Sequence, residues 1–360
     1  MKSNYKQLGQ FIRQVDVRNT SGKEENLLGV SVQKTFIPSI ANTVGTDFTK
    51  YKVVRRGQFT YIPDTSRRGD KIGIALLSDY DEGLVSNVYT TFEVINKNEL
   101  LPEYLMLWFS RPEFDRYARF KSHGSVREVM DWDEMCKVQL PVPPISVQRY
   151  IVKAYQTITN RIALKRQVND NLEATGSTLY RQIFESFGYT LPIGWRIHHL
   201  SEYLPVITGK KDANTTSPDG QYPFFSCSQD ILWTKEYSFE ADAILVAGNG
   251  DFNVKNYSGK FEAYQRTYVL IPKNELFCGW LYYVVKHHLP KATTAARGSV
   301  ISFITKGILE NIAFAVPDDF DELRLFCEKA NAIVKAIRVN NSEILELQRI
   351  QPIVLEQLSH

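Results

Sequence analysis

Apolar positions along the chain fall into recurring patterns. Short runs such as QFTYIP from Gln58, IGIALL from Ile72, AILVA from Ala243 and TYVLIP from Thr267 are rich in β-branched and aromatic residues. Gly, Asp or Pro bounds them, which predicts strands. PEYLMLWFSRPEFDRYAR from Pro102 and CGWLYYVVKHHL from Cys278 space their apolar residues i, i+3, i+4 and predict helices, with Pro102 suited to a first turn. A longer pattern follows each globular part. From Ile151, steps of four and three land on Tyr155, Ile158, Ile162, Lys165, Asn169, Leu172, Gly176, Leu179 and Ile183, the 3.5-residue seam of a coiled coil. From Phe326 the same steps give Ala330, Ile333, Ile337, Asn340, Ile344, Leu347, Gln351, Val354 and Leu358, at a constant offset of 175.

The offset extends beyond the helices. HGSVREVMDWDEMCKVQLPVPP from His123 and RGSVISFITKGILENIAFAVPDD from Arg297 superpose without a gap at offset 174, bringing Gly124, Ser125, Val126 and Pro143 onto Gly298, Ser299, Val300 and Pro317. Upstream, TFEVINKNELLPEYL from Thr91 meets TYVLIPKNELFCGWL from Thr267 at offset 176. The chain therefore reads as one unit written twice, each copy an α/β (α+β) domain followed by a long helix. The predicted boundaries are 1–144 and 188–317 for the domains, 145–187 and 318–360 for the helices.

Charge bears on the helices more than on the whole chain. Residues 145–187 carry six Lys or Arg against three acidic residues, and 318–360 carry five against eight. One segment is +3 and the other −3, so the two helices should pair with each other, antiparallel within one chain. The polar interruptions Lys165 and Asn340 share one seam position, as a register device would. The plainer alternative is that each helix packs only on its own domain. A forty-residue helix is about 60 Å long, more than one small domain covers.

Composition narrows the class. The 360 residues are 43% hydrophobic and 23% charged, ordinary for a globular protein. Purely apolar runs reach only six residues and the N-terminus lacks a signal-peptide apolar region, so neither a membrane nor a secretory reading is supported. The four cysteines are at least 49 residues apart, which fits free thiols in the cytoplasm and gives no zinc spacing. The adjacent pairs His198-His199 and His287-His288 cannot ligate a metal from one helix face, and Trp195, Trp233 and Trp280 read as core.

Two similar domains on a rigid spacer suit an object with two separated addresses, such as duplex DNA. The order of domain, LPVPPISVQRYIV helix, LPIGWRIHHLSEYLPVITGK entry from Leu191, second domain and second helix resembles the specificity subunit of type I restriction-modification systems. FEADAILVAGNGDFNVKNYSGKFEAYQRTYVL from Phe239 and the Gly-Ser-Val before each final strand add to the resemblance, which covers essentially the whole chain. The first unit departs from it, lacking an LPxGW entry and beginning YKQLGQFIRQVDVRN at Tyr5.

The resemblance implies two target-recognition domains, each reading one half of a bipartite, asymmetric DNA target. It further implies helices that set the gap and dock two methyltransferase subunits, with restriction and translocation subunits joining where present. Such a subunit does no chemistry, and S-adenosylmethionine, ATP and magnesium belong to its partners. In agreement, the sequence holds no methyltransferase Asn-Pro-Pro-Tyr, no Walker A and no His-Glu-x-x-His. No Asp or Glu is followed two residues later by the Lys that many metal nucleases need. The alternatives are a coiled-coil protein-interaction scaffold and the specificity part of a fused restriction-modification enzyme.

Candidate DNA contacts are cations and amides in loops beside Gly and Ser, where backbone can approach phosphate. They are Gln33, Lys34, Arg67, Arg68, Lys121, Lys210, Lys211 and Gln229, with Ser125 and Arg127 of one copy and Arg297 and Ser299 of the other at equivalent places. Gln can pair bidentately with adenine and Arg with guanine. The candidate helix-pairing residues are Ile151, Ile158, Ile162, Leu172, Leu179, Ile333, Ile337, Ile344, Leu347 and Val354.

Overall fold

The computed structural model describes residues 5–40, 45–65, 71–122, 128–188, 190–250, 252–295 and 303–359. In chain order the elements are β1 (Tyr5–Gln7), β2 (Ile12–Val15), β3 (Val17–Arg18), β4 (Leu28–Val30), β5 (Phe36–Pro38), β6 (Lys52–Arg55), β7 (Gln58–Tyr61), β8 (Ile74–Leu76), β9 (Glu82–Val85), β10 (Thr90–Val94), α1 (Pro102–Phe109), α2 (Pro112–Lys121), α3 (Trp132–Lys137), β11 (Gln139–Pro141) and α4 (Ile145–Phe184). The second half continues with β12 (Trp195–His199), α5 (Leu200–Tyr203), β13 (Val206–Thr208), β14 (Tyr222–Phe225), β15 (Ile231–Thr234), β16 (Phe239–Ala247), β17 (Val254–Ala263), β18 (Thr267–Leu270), α6 (Cys278–Ala295), α7 (Lys306–Glu310), β19 (Ala313–Pro317) and α8 (Phe320–Glu356). Among the described residues no helix is long and apolar enough to cross a membrane.

By packing, the chain divides into two units, Met1–Arg161 with Leu347–His360, and Ile162–Glu346. Each takes one globular part and a portion of both long helices.

In the first unit a four-stranded sheet has the order β2-β10-β7-β8. Phe59 and Phe92 stack at 4.8 Å across β7 and β10, and Phe109 of α1 meets both edge-on. All three rings are fully buried, each contributing on the order of 2–3 kcal/mol by leaving water. In the second unit the six-stranded sheet runs β13-β18-β16-β17-β14-β15, whose first four strands repeat the order of the first unit. Trp280 of α6 is its buried centre, within 5.1–6.2 Å of the rings of Tyr203, Phe277, Phe314 and Phe184.

The repeat holds at finer grain. Asp131 caps α3 by accepting from the Glu134 amide at 2.8 Å, and Thr305, 174 residues later, caps α7 by accepting from the Ile308 amide. The first unit, despite its missing LPxGW, has the same entry strand. β1 pairs antiparallel with β11 as β12 does with β19, and the amides of Leu8 and Leu200 donate to the carbonyls of Val138 and Ile312.

The long helices form α4 and α8, and none of the twenty predicted seam residues is exposed. In the second unit Lys165 Nζ donates to Asn340 Oδ1 at 2.9 Å and lies 2.7 Å from Glu343. Asn340 donates to Asn169, which donates to Asn341, both at 2.8 Å. Further along, the rings of Tyr180 and Phe184 meet Phe326. Numbers rise on α4 as they fall on α8, so the pair is antiparallel. In the first unit Gln351 donates to Thr159 at 3.1 Å, and Ile151 and Val152 share a cluster with Leu358.

A pure coiled coil is nevertheless too simple a description. At Gly176 the seam receives α6, for an added Cβ there would lie 1.9 Å from the Tyr283 hydroxyl. Beyond that point Leu179, Tyr180, Ile183 and Phe184 belong to the second domain's core, as do Leu323, Phe326, Ala330 and Val334 of α8. The helices thus pair with each other and also pack on their domains.

The polar layer should behave as a register device. Lys165→Leu with Asn340→Leu should be at least as stable as the parent, because paired leucines suit a seam. Lys165→Leu alone should lose about 1–3 kcal/mol, since Asn340 Oδ1 then loses its Lys165 donor in a half-buried site and faces an apolar residue. Denaturant midpoints distinguish the two, and equal midpoints would refute the device.

Candidate nucleic-acid interface

Loops at one end of the second domain's sheet are tied to one another. The Gly209 amide donates to the Thr267 carbonyl at 2.8 Å, Lys210 to Ala263 at 3.1 Å, and Gln265 back to Lys211 at 3.0 Å. Between β14 and β15, the Cys227 carbonyl accepts from the Asn253 amide group at 2.8 Å and the Ser228 carbonyl accepts from Lys255 Nζ at 2.6 Å. The Gly248 amide donates to the Arg266 carbonyl at 2.8 Å. Gly209 and Gly248 are required here, because a Cβ would stand 2.2 Å and 2.4 Å from the carbonyl oxygens of Tyr264 and Arg266. The result is a braced edge built from residues 209–212, 226–230, 248–250, 252–253 and 264–266.

The corresponding hairpin loop of each domain is fastened in the same way. Asp64 pairs with Val129 and Asn249 with Phe303 in isolated antiparallel bridges. The Met130 amide donates to the Pro63 carbonyl at 3.0 Å and the Ile304 amide to that of Gly248 at 2.7 Å. Since 129 and 303, like 130 and 304, differ by the repeat offset of 174, the β7–β8 and β16–β17 connections occupy equivalent places. The sequence repeat gave no sign of this, because these loops differ in length and composition.

Of the residues singled out from sequence, Lys34 has a structural partner. It has a φ of +66° in the β4–β5 connection, and its side chain is 8% exposed, with the ammonium 2.5 Å from Asp115 and 5.3 Å from the Phe114 ring centre. Burial lowers its pKa against the pull of Asp115. Lys34 therefore clasps its loop to α2 and is not presented to a ligand, whereas neighbouring Gln33 is exposed. Lys121 ends α2, with its ammonium 5.8 Å from the ring of Phe120, itself 80% exposed. Lys210 lies over Phe239 and Lys211 pairs with Glu236 at 3.1 Å, both on the braced edge with exposed Gln229. Arg67, Arg68, Ser125, Arg127, Arg297 and Ser299 lie outside the described residues.

A second polar feature joins α8 to the same sheet. Arg338 lies 3.1 Å from Asp242 and also donates to Asn256 on β17. Burial pushes the Asp242 pKa up, but hydrogen bonds from Ser258 and Arg338 hold it below the usual carboxylate range. The open cleft beside it, about 560 Å³, is lined by Asp242, Ser258, Cys278 and Lys335 among others. His287 and His288 face Glu185 at 3.6 and 3.8 Å, and burial lowers His288 to about 4. Among the described residues no three His, Cys, Asp or Glu gather as a metal site.

The sequence profile of a family described as type I restriction modification DNA specificity domain matches the chain twice, over 15–174 and 192–348. The chain belongs to this family. Each specificity-domain match takes one globular part and most of the long helix after it. The EcoDI specificity subunit of the type I restriction enzyme of Escherichia coli is 37% identical over 163 residues, 44% of this chain and 36% of that protein. The HindI specificity subunit of Haemophilus influenzae is 25% identical over 138 residues, 38% of this chain and 29% of that protein. These matches thus span about a third of either relative's length. The crystal structure of an S subunit of a type I restriction-modification system from M. genitalium superposes with a TM-score of 0.65 at 14% identity, covering 98% of this chain and 95% of that one. It shares the specificity-subunit fold: two α/β domains with long helices packed together.

Proposed function

We propose that this chain is the non-catalytic DNA-recognition subunit of a cytoplasmic type I restriction-modification complex. Each domain reads one half of a bipartite, asymmetric duplex target, and α4 and α8 fix the gap between the halves. Two methyltransferase subunits, and restriction subunits where present, dock on the chain and carry S-adenosylmethionine, ATP and magnesium. The observation that carries the reading is the doubling itself. One sheet order, one loop-to-strand bridge and one capped helix occur in both domains, and a family profile matches each half. Duplicated architecture with divergent loops suits two addresses of different sequence, since base readout is local to the groove each domain occupies.

Modularity tests it. Replacing residues 191–311 with the matching domain of a relative should change one half of the methylated sequence in cells and leave the other untouched. A swap that altered both halves would mean joint reading by the two domains and would refute the division of labour.

A further inference from the structure

Eleven Lys and Arg residues of the second domain, 195–317, are described, and ten of them have a partner. Carboxylates hold six. Aromatic rings lie under Lys210 and Lys260. Backbone carbonyls accept from Lys255 and Lys273. Arg266 is the exception: it is exposed, and among the described residues its guanidinium makes no hydrogen bond, ion pair or ring contact.

Its backbone, by contrast, is fixed. The Arg266 carbonyl accepts from the Gly248 amide at 2.8 Å and from the Cys227 thiol at 3.4 Å, so two loops converge on it. The Thr267 amide donates to Tyr264 at 2.7 Å and closes the turn, and Thr267 is buried at the start of β18 opposite Ala247. A planar five-donor fork with no internal partner, mounted on a braced turn beside the loop of Gln229, is the arrangement that reads a base edge. The internal repeat adds an independent observation. At offset 176 the identical Thr91 and Thr267 coincide, and the residue before them is Thr90 in one copy and Arg266 in the other. The two domains therefore present different chemistry from the same point of the fold, as two unlike half-sites require.

We infer that Arg266 is a specificity-determining residue that reads a guanine in the half-site held by the second domain. The inference rests on the DNA-recognition reading above. An arginine at this place donates from both arms of its planar fork to the guanine O6 and N7, a fixed geometry that the single flexible ammonium of a lysine reproduces less well.

The test uses the full chain with a methyltransferase subunit, comparing the parent, Arg266→Lys and Arg266→Ala by the methylated motif in cells and by selection from randomised duplexes at several salt concentrations. The parent should fix a G·C pair at one position of one half-site. In Arg266→Lys, discrimination at that position should fall about five- to 150-fold, with every other position retained. Arg266→Ala should lose the same position while keeping its salt dependence. If either variant keeps the full motif, or if Arg266→Ala weakens binding uniformly and lowers the salt slope by about one, Arg266 is at most a phosphate contact and the inference is overturned. A parent that enriches no sequence would overturn the recognition reading itself, and this inference with it. The lysine variant keeps charge and turn intact, so a folding defect confined to the alanine variant leaves the test decisive.

Discussion

Gly279→Ala should destabilise the second unit by about 3 kcal/mol, lowering its denaturation midpoint without changing the first unit. Gly279 stands in the first turn of α6, where an added Cβ would lie 2.6 Å from the Asn331 amide nitrogen and 2.7 Å from the Ala330 carbonyl carbon of α8. The third near atom is Asn331 Oδ1, also at 2.7 Å, so the clash falls on α8 backbone and on a side chain already held by hydrogen bonds. The Gly279 amide also donates to Asn331 Oδ1 at 2.7 Å, and Asn331 in turn donates to the Leu276 carbonyl at 2.8 Å, so moving α8 breaks both bonds. Gly307→Ala in α7 is the control. Nothing lies within 4 Å of its added Cβ, and alanine favours helix, so that variant should be neutral or up to about 1 kcal/mol more stable. Equal effects at the two sites would show that the α6–α8 approach tolerates expansion.

The contrast between these glycines shows where sequence reasoning has purchase. A seam repeats every 3.5 residues because burial repeats at that interval, so Ile151 through Leu358 could be placed from spacing alone. The partners at Lys165 and Asn340 followed because a polar residue at one seam position in both copies needs another to answer it. Close approach carries no such period. Gly279 stands where the first copy has Glu103, and its fit to Asn331, 52 positions away, leaves no local mark. The entry strand β1 escaped for a related reason: all three of its residues are exposed, so it lacks the alternation that marks half-buried strands.

The candidate contacts separate along the same line. Lys34 resembled a loop cation because its partner Asp115 lies 81 residues away, and only the fold brings them together. Arg266 carried the opposite disguise. It sits between Gln265 and Thr267 without a neighbouring Gly or second cation, so a search for basic clusters passes over it. Its distinction is the lack of a partner, which becomes visible only when every other cation nearby has been given one.

Inserting one heptad into α4 after Ile162 and one into α8 after Ile344 should lengthen the gap between otherwise unchanged half-sites by one to three base pairs. A heptad preserves the apolar seam and adds about 10 Å of helix. The insertion points lie on the N-terminal side of Lys165 and the C-terminal side of Asn340, so the polar layer keeps its pairing. At about 3.4 Å per base pair the added length corresponds to roughly three base pairs, but that step also turns the second half-site by about 100° around the duplex. Bending or twisting the DNA or the helices must absorb the mismatch, so binding should weaken as the gap grows. The methylated motif in cells carrying the altered chain and a methyltransferase subunit reads the gap directly. An unchanged gap with normal methylation would show that the helices do not set the spacing, and their doubled seam would then serve partner docking alone.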